Sequence, residues 1–133
     1  MEQPLKVMVI DDSRTIRRTA QMLLGEVGCE VITASDGFDA LAKIVDHNPA
    51  VIFVDVLMPR LDGYQTCAVI KQNSTFKDVP VILLSSRDGV FDKARGRVVG
   101  SDQFLTKPFT KEELIEAIQA HVPGFATAQQ IAP

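Results

Sequence analysis

The side chains with chemical potential are the adjacent carboxylates Asp11 and Asp12, the carboxylate Asp55, the hydroxyl of Ser85 and the ammonium of Lys107. Taken singly, each has an ordinary explanation. The aspartates suit loops and helix caps, Ser85 suits a strand end, and Lys107 suits a solvated surface. Yet each follows a short β-rich run, and in an open parallel sheet the carboxyl ends of the strands converge on one ligand crevice. Separate ordinary readings do not account for three carboxylates, a hydroxyl and an ammonium at the same end of one sheet.

Three carboxylates in one crevice raise one another's pKa unless a cation offsets them. An oxygen-only donor set, without thiol or imidazole, suits Mg²⁺, which keeps several waters and binds through one or two carboxylates plus a phosphate. Calcium would want more protein ligands. A carboxylate beside such an ion can attack a phosphoryl group and become an acyl phosphate. Lys107 then supplies a second cation, and Ser85 a hydrogen bond to a phosphoryl oxygen. The set reads as a phosphorylation switch.

The elements that must position these groups alternate between strand and helix, the pattern of parallel βαβ units. Leu5–Ile10 is the first strand. Ser13 caps a helix carrying Ile16, Ala20, Leu23, Leu24 and Val27 at helical spacing, ending at Gly28. Glu30–Ala34 follows, and Asp36 caps a helix with Phe38, Leu41, Ile44 and Val45 that stops at Asn48-Pro49. Val51–Val54 is continuously apolar, as a central strand buried on both faces requires. A loop over Asp55–Gly63 leads to a helix at Tyr64–Gln72 and a strand at Val81–Leu84. The fourth helix, between Asp88 and Val99, is weak: Gly89 and Gly96 each cost about 1 kcal/mol in a helix interior. Gln103–Thr106 is the fifth strand. Thr110 and Glu113 form a capping box for a last helix with Leu114, Ile115, Ile118 and Val122, ended by Pro123-Gly124.

Composition sets the outer bounds. With 133 residues, 46% hydrophobic and 23% charged, the chain reads as one ordinary globular domain. A net charge of −3 argues against a nucleic-acid coat, and Lys93, Arg95 and Arg97 read as a solvated face or a contact for an acidic protein. Apolar runs such as Val7–Ile10 fall far short of the roughly 20 residues that span a bilayer, and the N-terminus lacks a secretory signal, so the cytoplasm is expected. Cys29 and Cys67 lie apart without a histidine cluster, which leaves no structural zinc site; both are expected to be reduced and part-buried. His47 and His121 fall near helix ends, where a cation suits the dipole.

Val-Ile-Asp11-Asp12-Ser, Val-Asp55-Val-Leu-Met-Pro59, Leu-Leu-Ser85-Ser and Leu-Thr-Lys107-Pro108-Phe, in that order, resemble the receiver domain of bacterial response regulators over about Leu5 to Val122. The resemblance implies an α/β, flavodoxin-like, doubly wound five-stranded parallel sheet of order 2-1-3-4-5, with helices on both faces. It implies a receiver domain over residues 1–123 and a flexible C-terminal tail over 124–133. Asp55 would take a phosphoryl group from a histidine kinase, with Asp12 and Asp55 on Mg²⁺ directly, Asp11 through water, and the carbonyl of Leu57 as a further ligand. Ser85 and Phe104 would be the switch pair, remodelling the face of the fourth helix, fifth strand and fifth helix, and the Lys107-Pro108 bond would be cis.

With no effector domain in view, the chain is similar to the stand-alone, chemotaxis-type class, and several stretches are similar to regulators of type IV pilus twitching motility. The implied partners are a chemotaxis-type kinase, docking at the first helix near Arg14, Arg17 and Arg18, and a protein of the pilus machinery. Neither nucleic acid nor membrane insertion is implied. The expected state is a monomer, with dimerisation on phosphorylation left open. Ser85 stands where the family often has threonine, and Phe104 replaces the common tyrosine, removing a hydroxyl. Leu57 cannot orient an attacking water, and Arg87 does not suit a base, so slow dephosphorylation is expected. The protein would be a regulatory phosphoacceptor, not an enzyme with a separate substrate. A dehalogenase-type hydrolase fits less well, because Asp11 and Asp12 are adjacent instead of forming Asp-x-Asp. The intact acidic trio argues against a constitutive pseudo-receiver, and a phosphate-loop lysine is missing after Gly96.

Overall fold

The computed structural model describes residues 3–86 and 89–125. Five strands, β1 (Lys6–Ile10), β2 (Glu30–Ala34), β3 (Val51–Asp55), β4 (Val81–Ser85) and β5 (Gln103–Thr106), form one parallel sheet of order β2-β1-β3-β4-β5. They alternate with α1 (Arg14–Glu26), α2 (Gly37–His47), α3 (Gly63–Gln72), α4 (Val90–Val98) and α5 (Lys111–His121). The predicted fold class and strand order hold. Among the described residues no helix is long and apolar enough to cross a membrane.

Side chains alternate between the two faces with the two-residue period of a strand. Met8, Ile10, Ile52, Val54, Val81 and Leu83 point to one face and pack with Ala40 and Ile44 of α2 and Tyr64, Cys67 and Ile70 of α3. Val7, Val9, Val51, Phe53, Ile82 and Leu84 point to the other and pack with Ala20 and Leu24 of α1 and Leu114, Ala117 and Ile118 of α5. Both faces are apolar because both are covered, which explains the continuous runs in β3 and β4.

The caps form as the sequence reading expects at Ser13, Asp36 and Thr110, each accepting a bond from the backbone N–H three residues on. Two details differ from expectation. The third helix begins at Gly63, under a reciprocal capping box between Asp62 and Gln65, a D-x-x-Q pattern the sequence reading overlooked. Gly89 is the N-cap of α4, so Gly96 alone of that helix's glycines lies in its interior. Cys29 and Cys67 are free and buried. Of the C-terminal tail expected over 124–133, Phe125 packs partly buried against the α1/α5 cluster, and residues 126–133 lie outside the described residues.

Gly63 shows how tightly α3 is fastened to the strand carrying Asp55. A Cβ there would fall 2.3 Å from the carbonyl oxygen of Asp55 and 2.7 Å from the Cα of Val56, both backbone atoms that cannot swing away. Overpacking against backbone costs about 1–3 kcal/mol. Gly63→Ala is therefore expected to lower the stability read from urea unfolding by about 2 kcal/mol or more. An unchanged midpoint would show that α3 can slide on β3.

Candidate functional site

The parallel register brings the predicted residues together. Ile10 pairs with Val54, Asp55 with Leu84, and Ser85 with Thr106, so Asp11, Asp55, Ser85 and Lys107 stand at neighbouring strand ends. The Nζ of Lys107 donates to Asp11 Oδ2 at 2.8 Å and to Asp55 Oδ1 at 2.9 Å. Carboxylate oxygens of Asp11, Asp12 and Asp55 all lie within 4.8 Å of one another. Asp11, Asp55 and Ser85 are buried, whereas Asp12 is exposed at the mouth. Leu57 presents its side chain to solvent, and Phe104 lies half-buried on β5, its ring close to Gly96 of α4. The Lys107-Pro108 peptide is cis.

Unit charges at 4.8 Å repel by roughly 3 kcal/mol at an effective dielectric of about 20. One ammonium against three carboxylates leaves two negative charges, which an all-oxygen site offers to a hard divalent cation. The electrostatics of Asp55 agree. Burial pushes its carboxyl above the usual range, the Lys107 hydrogen bond pulls it back, and the Asp11 charge pushes it up again. Burial alone would pull Lys107 down, but its bonds to Asp11 and Asp55 outweigh that and leave it raised. The lysine therefore stays a cation.

Sequence reasoning missed one supporting group. Arg17, expected with Arg14 and Arg18 at a docking face, is half-buried and its guanidinium donates to the carbonyl of Asp11 at 2.6 Å. The backbone N–H of Ser13 donates to Asp11 Oδ1 at 2.9 Å. These bonds orient the β1–α1 turn that carries both aspartates. One helical turn separates Arg17 from the Ser13 cap, a spacing that points the arginine back toward that turn. Arg14 and Arg18 are exposed. Arg87, expected beside the site, lies outside the described residues.

Residues 7–119 match the model of the response regulator receiver domain. The chain belongs to that family. It is 72% identical over 127 residues to protein PilG of Pseudomonas aeruginosa, a match covering 96% of this chain and 94% of PilG. It is 38% identical over 117 residues to the response regulator MprA of a Mycobacterium species, covering 88% of this chain and half of MprA. Among solved structures, the chemotaxis protein CheY4 of Vibrio cholerae superposes with a TM-score of 0.86 at 34% identity, over 90% of this chain and 99% of that one. This receiver domain is thus a regulatory phosphoacceptor of two-component signalling, a class that works with a histidine kinase and downstream targets.

The raised Asp55 carboxyl yields a signed prediction. A carboxyl raised in the folded state costs stability when ionised, and the cost is lost as pH falls through the folded pKa toward the lower unfolded one. In chelator-treated buffer, Asp55→Asn should unfold at a higher temperature than the parent at pH 7, and the gap should narrow as the pH is lowered toward the ordinary aspartate range. A gap that widened on acidification would contradict this account of the site.

Proposed function

We propose that Asp55 accepts a phosphoryl group from a chemotaxis-type histidine kinase in the presence of Mg²⁺, and that the phosphorylated chain signals by binding a protein of the pilus motility machinery. The observation carrying this reading is Lys107 bridging Asp11 and Asp55, with Asp12 completing the acidic cluster. Asp12 and Asp55 would hold the ion directly, Asp11 through water and Leu57 through its carbonyl. The ion would neutralise charge on the transferred oxygens.

An ionised Asp55 oxygen attacks phosphorus, the donor's phosphorus–nitrogen bond breaks, and the imidazole leaves with the electron pair. Lys107 keeps Asp55 ionised against the burial that opposes it, and after transfer its ammonium pairs with the phosphoryl oxygens. Ser85, buried at the end of β4, supplies the hydroxyl that follows the phosphoryl group. Phe104 is the aromatic member of the switch. Its ring lines a cleft of about 260 Å³ beside α4 that an inward turn would reshape. Arg14 and Arg18 remain available on α1 for the kinase. The identity to PilG supports an output in type IV pilus twitching motility, and the site of action in this reading is the cytoplasm.

Intact-mass spectrometry after incubation with acetyl phosphate and Mg²⁺ tests the chemistry. The expected result is one phosphoryl adduct, abolished by chelator and by Asp55→Asn. An adduct that survives Asp55→Asn would assign the acceptor elsewhere. Because Leu57 cannot orient a hydrolytic water, Leu57→Asn should shorten the lifetime of the adduct several-fold. An unchanged lifetime would remove position 57 from the control of hydrolysis.

A further inference from the structure

α4 is fastened to the protein in an unusual way. Gly96 is its one buried residue, while Val90, Phe91 and Val98 are 77%, 90% and 85% exposed. Its N-cap, Gly89, makes no side-chain capping bond. Apolar burial, which holds the other four helices, contributes little here.

Polar contacts from α3 take its place. The guanidinium of Arg95 lies over the ring of Tyr64, 4.4 Å from the centroid, and approaches the carboxylate of Asp62 at 3.7 Å. The Tyr64 hydroxyl donates to the carbonyl of Asp92 in the first turn of α4 at 3.2 Å. Just past the helix, the Cys67 thiol donates to the carbonyl of Val99 at 3.6 Å. Tyr64 is itself buried in the core cluster beside Val56 and Met58. Its neighbour Gly63 is seated on the backbone of Asp55 and Val56 and donates to the carbonyl of Val56 at 3.0 Å. The grip on α4 therefore comes from an element fixed to the strand of the phosphoacceptor.

α4 starts at Val90, with only four residues between it and Ser85 in the sequence. When Ser85 moves toward a phosphoryl group on Asp55, the chain entering α4 is drawn with it, while Tyr64 stays with β3. The contacts at Asp92 and Arg95 fit the placement of α4 in this structure, and a displaced α4 would give them up. We infer that Tyr64 and Arg95 form a latch that favours the unphosphorylated placement of α4 and so sets how readily the chain adopts its phosphorylated conformation. This inference rests on Asp55 being the acceptor and Ser85 following the phosphoryl group. Contacts made in one state alone must lower affinity for any ligand of the other, because a ligand shifts an equilibrium only by its differential affinity.

The test combines amide hydrogen exchange over 90–98 in the metal-free protein with titration of beryllium fluoride in Mg²⁺, followed by fluorine NMR. The variants are Arg95→Gln, Tyr64→Phe, which keeps the ring in the core, their combination, and Lys93→Gln as a charge control on the same helix. Arg95→Gln and Tyr64→Phe should each speed exchange in α4 and leave α1 and α5 unchanged. Arg95→Gln should lower the apparent Kd for beryllium fluoride about fivefold, Tyr64→Phe should do so less, and Lys93→Gln should match the parent. A normal adduct on the parent with unchanged exchange and Kd in the variants overturns the latch alone, as does weaker binding in Arg95→Gln. No adduct on the parent overturns the acceptor assignment, and the latch with it.

Discussion

The bond of one lysine to two buried aspartates is the interaction on which the rest depends. Lys107 is 96 residues from Asp11 and 52 from Asp55 in the chain, yet its Nζ lies within 2.9 Å of both carboxylates. β5 is separated from β3 by β4, a span of roughly 10 Å at ordinary strand spacing. Among cationic side chains, a lysine at the end of β5 has the length to cross it while keeping a compact charge for two separate oxygens. The bond forms only if the strands are in this order and register.

Around that bond the site remains short of positive charge, and the carboxyl of Asp55 is held above its usual range first by burial and then by the charges of Asp11 and Asp12. A buried carboxylate between others is reactive toward groups that bring a cation or a transferable phosphoryl with them. Arg17 and the backbone of Ser13 hold the turn of Asp11 and Asp12 in place, so the groups meeting such a ligand are arranged beforehand.

The scaffold is uneven in a way that matches its signalling class. Four helices lie on the sheet through apolar side chains, and the core on each face is continuous. α4 instead offers Val90, Phe91 and Val98 to solvent and is held by a stacked arginine, a tyrosine hydroxyl and a thiol. Such contacts contribute far less than a buried apolar stripe and depend sharply on geometry. A helix held that way can shift at less cost to the core than one held by a buried apolar stripe.

Much of this was legible in the sequence by itself. The apolar periods located all five strands and five helices, the caps at Ser13, Asp36 and Thr110 were readable, and the motifs around Asp11, Asp12, Asp55, Ser85 and Lys107 identified the family and the candidate site. These features reside in residue types and short spacings, because hydrogen bonds within one turn and burial on one face repeat with the local geometry of the chain. The tertiary structure alone decided that Arg17 turns onto the Asp11 carbonyl, that Gly63 must lack a side chain where it meets Asp55, that Phe125 packs part-buried against the α1/α5 cluster, and that Arg95 stacks on Tyr64. Each of these is a contact between elements, and a side chain's partner across such a gap is chosen by how the helices pack on the sheet, which no local spacing records.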